Sequence, residues 1–177
     1  MNTDRLRQNI IDVVQEGQIK LGYRKETIRL YYPLASLCTF MGETMDENRM
    51  QRELEAFAAA QRDTLGALEI THKGERFCIA VPPEGAAYVH GITDKSGFLT
   101  GFIRTIERHG ATMEELLDQF RRCSDRVHVE ELHNGEFDYL VYFEDGVPDD
   151  FRYCIAVEPC HLTYHRFTRE DYEAFGF

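Results

Sequence analysis

VHVEELHNGEFDYLVYF, residues 127–143, is the stretch of sequence that decides the fold. Apolar and polar side chains alternate over its first residues, and a period of two indicates a β-strand. Asn134-Gly135 is a strong hairpin signal, because both residues tolerate the positive φ angles of a tight turn. The run from Phe137 to Phe143 then carries apolar side chains on both faces, which predicts a strand covered on both sides.

Two more alternating runs follow toward the C-terminus, at Phe151–Val157 and at His161–Phe167. The turn Gly146–Asp150 precedes the first run, and Pro159 ends it because proline has no backbone N–H to give to a ladder. The spacing predicts an antiparallel meander after residue 125, with a last helical turn capped by Thr168.

The region before residue 125 is mainly helical in pattern, apart from one hairpin that spans Leu68–Val81 around Gly74. Apolar residues at helical spacing predict helices over residues 4–21, 34–41, 46–64, 84–91, 97–109 and from 112 onward. We therefore expect an α+β fold, with one antiparallel sheet made of the hairpin plus the C-terminal meander and with helices packed on one face. Whether the hairpin joins the C-terminal sheet decides between one domain and two. We favour a single domain over residues 1–177, because no linker-like stretch interrupts the chain.

Three motifs resemble a family of uncharacterised bacterial proteins that is known only as a domain of unknown function. They are Leu30-Tyr31-Tyr32-Pro33-Leu34, Tyr142-Phe143-Glu144-Asp145-Gly146 and Tyr164-His165-Arg166-Phe167-Thr168. The resemblance covers nearly the whole chain. It implies one full-length domain and a bacterial source, and it implies no activity.

Charge excludes several classes of partner. The chain has 20 Lys and Arg against 31 Asp and Glu, a formal net charge of −11. Nucleic acids and anionic membranes attract basic surfaces, so we expect neither as a partner. No apolar run approaches the length of a membrane span, and the first residues do not form a signal-peptide core. The five cysteines are odd in number and scattered, which predicts reduced thiols and a cytoplasmic location.

Eight acids lie between Arg126 and Arg152 with no base among them. Carboxylates that bracket the turn Glu144–Asp150 could hold Ca²⁺ or Mg²⁺, since hard cations take oxygen ligands. The spacing is not that of an EF-hand. We favour the alternative of a solvated acidic hairpin end that blunts strand pairing, and we predict no metal and no cofactor.

A cysteine–histidine set near the C-terminus, Cys154, Cys160, His161 and His165, has the chemistry of zinc ligands. The two histidines lie four residues apart on a predicted strand, roughly 13 Å at about 3.3 Å per residue, which is too far for one ion. We interpret the set as core cysteine plus hydrogen-bonded histidines.

Familiar catalytic signatures are absent from the sequence. It contains no G-x-S-x-G and no G-x-G-x-x-G, and Gly97-x-x-x-Gly101 lacks the Gly-Lys-Ser/Thr of a P-loop. We therefore favour a non-catalytic module that binds a ligand, a protein partner or itself. The alternative is a small hydrolase or transferase that pairs His161 or His165 with a carboxylate of Glu144, Asp145 or Asp149. Whether the protein is an enzyme stays open at this point.

The predicted ligand site combines two segments rich in aromatic and polar residues. We expect a pocket between the Tyr31–Tyr32 segment and the last strand, because the aromatic residues gather there. Its predicted residues are Tyr31, Tyr32, His161, His165 and Arg166.

Overall fold

A computed structural model describes residues 3–175 of the chain. The chain forms two compact units, Met1–Thr93 and Asp94–Phe177. The first holds helices α1 (Thr3–Leu21), α2 (Leu34–Met41), α3 (Glu47–Ala60), α4 (Arg62–Leu65) and α5 (Pro83–Ile92), with strands β1 (Ile28–Pro33), β2 (Glu69–Lys73) and β3 (Arg76–Val81). The second holds α6 (Phe98–Ile106), α7 (Met113–Cys123) and α8 (Arg169–Phe175), with β4 (Val127–Glu131), β5 (Tyr139–Phe143), β6 (Arg152–Val157) and β7 (Leu162–Phe167).

The first unit is built on a three-stranded antiparallel sheet in the order β1-β3-β2. Alternate residues of its strands, such as Leu30, Phe77 and Ile79, point into a core shared with α1, α2 and α3. Burial of these apolar side chains provides most of the driving force that holds the helices on this face. The residues in between point away from the core.

The second unit is a four-stranded antiparallel meander in the order β4-β5-β6-β7. Aromatic rings from α6, α7 and the sheet form its core. Phe102 lies 4.7 Å from Tyr153 between ring centroids, and Phe120 lies 5.2 Å from Phe143. Helix α7 begins with the expected capping box, in which Thr112 and Glu115 exchange hydrogen bonds.

The α+β class, the antiparallel pairing, the hairpin and the C-terminal meander are confirmed. The expectation that hairpin and meander share one sheet is wrong, because the hairpin pairs with β1 instead. Strand β1 alternates buried Leu30 and Tyr32 with exposed Arg29 and Tyr31, so it adds apolar side chains to the core face of the sheet while its backbone pairs with β3.

The predicted helix over residues 46–64 is divided in two. Asp46 caps α3 as expected, with its side chain accepting a hydrogen bond from the N–H of Arg49. The helix ends at Ala60, the N–H of the following Gln61 still donates to the carbonyl of Phe57, and the short α4 begins at Arg62. Within the described residues, no helix combines the length and the apolar character needed to cross a bilayer.

Candidate functional site

Strand β1 places the two tyrosines of the predicted site on opposite faces of the sheet. Tyr32 points into the core, where its hydroxyl donates to Oδ1 of Asn9 at 2.9 Å and burial raises its pKa. Tyr31 points outward and is 57% exposed. Of the two, only Tyr31 is available to a ligand.

The outward face of the β1-β3-β2 sheet, which we call the open face, carries exposed polar side chains around Tyr31. Three rows cross the strands in register: Arg29, Ala80 and Glu69; then Tyr31, Cys78 and Thr71; then Pro33, Arg76 and Lys73. All of these residues are exposed except Ala80, which is buried between its neighbours, and Cys78, which is half-buried at the centre.

The open face concentrates positive charge. Lys73 and Arg76 are direct cross-strand partners, and the guanidinium of Arg76 lies 5.4 Å from the centre of the Tyr31 ring. Like charges directly opposite each other destabilise a sheet. Within residues 3–175, neither of these two cations nor Arg29 forms an ion pair, and Glu69 is the one acid of the face.

Most of the open face was missed in the sequence, although Tyr31 was included in the predicted site. The signal that could have found it is the polar alternation Arg29-x-Tyr31, Glu69-x-Thr71-x-Lys73 and Arg76-x-Cys78. These residues can be recognised as one face only when the pairing of the three strands is known, and the pairing of β1 with β3 was not predicted.

The other predicted site residues lie in the second unit. His161 is exposed just before β7, and His165 is exposed on β7 with its ring centroid 4.1 Å from that of Phe167. Arg166 points to the opposite face of the sheet from His165, since successive strand residues alternate. The guanidinium of Arg166 lies 4.2 Å from the centre of the Phe151 ring.

Arg166 belongs to a largely buried polar cluster. Asp149 accepts hydrogen bonds from the hydroxyl of Tyr153 at 2.7 Å and from the N–H of Phe151 at 3.1 Å. Burial raises the pKa of Asp149, while the Tyr153 hydroxyl and the Arg166 charge oppose that rise. Burial also raises the pKa of Tyr153. Tyr153 is fully buried, so its hydrogen bond to Asp149 anchors the turn to the sheet.

The histidine–carboxylate pairs of the catalytic alternative are not joined in the described residues. No hydrogen bond or ion pair there links His161 or His165 to an acid of the Glu144–Asp150 turn. Asp149 accepts a hydrogen bond from Tyr153, and the side chain of Tyr153 lies on the other face of the sheet from that of His165. The alternative stays a prediction without geometric support from these contacts.

The acidic turn uses several of its carboxylates for local structure. Asp145 Oδ1 accepts from the N–H of Val147 at 3.3 Å, and Asp150 Oδ1 lies 3.2 Å from Nη1 of Arg152. Arg152 in turn lies over the Tyr142 ring at 4.0 Å. Searched over residues 3–175, the chain brings together no group of three His, Cys, Asp or Glu arranged to hold a metal ion.

The predicted cysteine–histidine set is spread over different environments. Cys154 is fully buried, and burial raises the pKa of its thiol to about 11. Cys160 and His161 are exposed at the β6–β7 connection. All five cysteines are free thiols.

The first unit also has a shallow cavity of about 530 Å³ between α2 and the β2–β3 turn. Leu34, Cys38, Thr44, Met45 and Glu75 contribute to its lining. The Cys38 sulfur accepts a hydrogen bond from the N–H of Met45 at 3.4 Å, so the thiol helps to hold the loop after α2. No charge or aromatic cluster distinguishes this cavity from an ordinary surface groove.

One family model matches the chain. It is described as "Domain of unknown function, E. rectale Gene description (DUF3877)" and covers residues 3–176. No curated protein and no solved structure matches.

Proposed function

Because the chain belongs to the DUF3877 family of unknown function, its function has to be argued from its own surface, and we propose that it is a non-catalytic binding module. The open face of the first unit binds acidic segments of proteins. The observation that carries this proposal is the adjacent pair Lys73 and Arg76 beside the exposed ring of Tyr31.

Repulsion between Lys73 and Arg76 raises the free energy of the unbound protein, and this repulsion favours an anionic partner. Two cations held directly opposite each other repel, and no acid within the described residues neutralises Lys73, Arg76 or Arg29 by an ion pair. A bound carboxylate removes that repulsion and adds charge-assisted hydrogen bonds. Binding of an anion at Lys73 and Arg76 is therefore favoured both by the relief of repulsion and by the new hydrogen bonds.

The residue types also fit a protein partner. Tyrosine and arginine are enriched among the residues that contribute most to protein–protein binding. An exposed sheet face is flat, and a flat surface suits a polypeptide better than a small molecule, which needs a concave site. The net charge of −11 opposes long-range attraction of any anion, and most strongly that of a long polyanion such as nucleic acid, so we expect a short acidic segment held by local contacts.

The test is binding of a fluorescent polyglutamate peptide, followed by anisotropy. We expect saturable binding that weakens as salt is added, because the Debye length shortens to about 10 Å at 0.1 M. The double variant R29E/R76E should weaken binding by about tenfold or more, since like charges then face each other.

A matched control variant has the same change in net charge at other places. Arg52 on α3 and Arg104 on α6 are both exposed and lie outside the open face, so R52E/R104E should bind as the unmodified protein does. Equal loss in both variants would mean that only the total charge matters. A short oligothymidylate that binds more tightly than the peptide would also overturn the proposal.

A further inference from the structure

The turn between β5 and β6 has a shape fixed by its own side chains. Gly146 adopts φ 71°, a left-handed conformation, and Asp145 Oδ1 accepts a hydrogen bond from the N–H of Val147. Asp149 fastens the other end of the turn through the hydroxyl of Tyr153 at 2.7 Å. The tip is therefore presented in a defined conformation.

The tip presents two acids and one apolar side chain to solvent. Glu144 and Asp145 are exposed, and within residues 3–175 neither forms an ion pair. Val147, at the same tip, is 61% exposed and so presents an apolar side chain next to the two carboxylates. Exposed carboxylates next to an exposed valine form a surface suited to a partner that offers both cations and an apolar side chain.

The open face has the complementary composition. Its cations Arg29, Arg76 and Lys73 share one face of the sheet with the exposed ring of Tyr31 and the half-buried Cys78, and the guanidinium of Arg76 lies next to that ring. The charges also differ between the units: residues 94–177 contain nine Lys or Arg and eighteen Asp or Glu, while residues 1–93 are close to balance. The basic open face thus belongs to the first unit, and the acidic β5–β6 turn belongs to the second unit.

We infer that the acidic β5–β6 turn of a second copy of this chain docks on the open face. The carboxylates of Glu144 and Asp145 pair with Arg29, Arg76 or Lys73, and Val147 packs against Tyr31. This inference rests on the proposed function, because it names the acidic protein segment that the open face binds.

The contact joins two different surfaces of the protein. Each copy can therefore bind one neighbour through its open face and another through its β5–β6 turn. Such a heterologous contact closes into a ring or a reciprocal dimer when the geometry allows, and otherwise extends into a chain. The contact is small and opposed by two net charges of −11, so association is expected to be weak and to increase with protein concentration.

Sedimentation analysis of the full-length protein over a wide concentration range tests the inference. The unmodified protein should associate. The face variant R29E/R76E and the turn variant E144K/D145N should each associate at least about tenfold more weakly. Asn at position 145 keeps the side-chain oxygen that accepts from Val147, so the turn variant retains its local structure.

Mixing the two variants is the decisive measurement. The turn variant still has an intact open face, and the face variant still has an intact turn, so an equimolar mixture should form a complex that neither variant forms alone. The control E107K/D125N changes the net charge as the turn variant does, at exposed residues outside the turn, and should associate as the unmodified protein does.

The outcomes separate this inference from the proposed function. An unmodified protein that is monomeric at every concentration, or a mixture of variants that stays monomeric, overturns the second copy as partner. If polyglutamate still binds the open face in that case, the proposed function stands with another acidic protein as partner. If polyglutamate also fails to bind, both are wrong.

Discussion

The neighbouring tyrosines of β1 have different roles, because Tyr32 is buried in the core and Tyr31 is exposed on the surface. Tyr32 donates a hydrogen bond to Asn9 from within the core, so Tyr32→Phe should lower the free energy of unfolding by about 1 kcal/mol. Tyr31→Phe removes an exposed hydroxyl and should leave that energy nearly unchanged. Urea denaturation of both variants measures the difference, and equal losses would contradict the assigned faces.

At Asp149 the structure predicts a pH dependence with a definite sign. Burial raises the pKa of this carboxyl above its ordinary 3.8, so the folded protein holds the proton more tightly than the unfolded chain. Its contribution to stability is present below pH 3.8 and is lost as the pH rises through the raised folded pKa.

The variant Asp149→Asn removes this titration while keeping an oxygen that can accept from Tyr153. The difference in unfolding free energy between the unmodified protein and the variant should therefore move in favour of the variant as the pH rises from about 4 to neutrality. Urea denaturation at several pH values gives that difference. A constant difference would show that Asp149 titrates alike in the folded and unfolded states.

Among the elements, α5 approaches the backbone of Leu65 closely at Gly85. A Cβ atom there would lie 2.7 Å from Cγ1 of Val81 and 2.8 Å from the carbonyl carbon of Leu65, and backbone cannot yield as a flexible side chain does. Gly85→Ala should therefore destabilise by about 1–3 kcal/mol.

Gly91 lies in the same helix with nothing within 4 Å of an added Cβ, so it is the matched control. Gly91→Ala should stabilise by up to about 1 kcal/mol, because alanine favours helix more than glycine does. Thermal denaturation of the two variants should give opposite shifts, and two shifts of the same sign would contradict the close approach at Gly85.

Elements fixed by local signals were predictable from the sequence. The capping box at Thr112, the left-handed Gly42 that ends α2, and the alternation of the C-terminal strands all depend on residues close in sequence. The partner of β1 depends on a contact with β3 across roughly fifty residues, and no local pattern specifies it. The open face exists only through that pairing, which explains why its cations were missed.

The predicted site shows the same limit. Alternation along a strand places neighbours on opposite faces, so Tyr31 and Tyr32 separate, as do His165 and Arg166. The sequence shows which residues have useful chemistry, whereas the register decides which of them share a surface.

On the scale of the whole molecule, the prediction of a single domain can be tested by the cooperativity of unfolding. Five residues connect α5 to α6, and they are locally ordered. Thr93 donates to the carbonyl of Val89 and accepts from Gln15, while Asp94 accepts from the N–H and the hydroxyl of Ser96. These hydrogen bonds restrict both ends of the connection, although it contains Ser96 and Gly97, two residue types that are common in flexible linkers.

We therefore expect residues 3–93 and 94–175 to unfold together. Hydrogen exchange followed by mass spectrometry reports on both ranges in one sample, so α1 and β5 can be compared at each urea concentration. Loss of protection at the same urea concentration, with one value of m for the whole chain, is the expected result. Two midpoints, each with a smaller m, would instead make the two compact units independent domains, since m scales with the surface exposed in each transition.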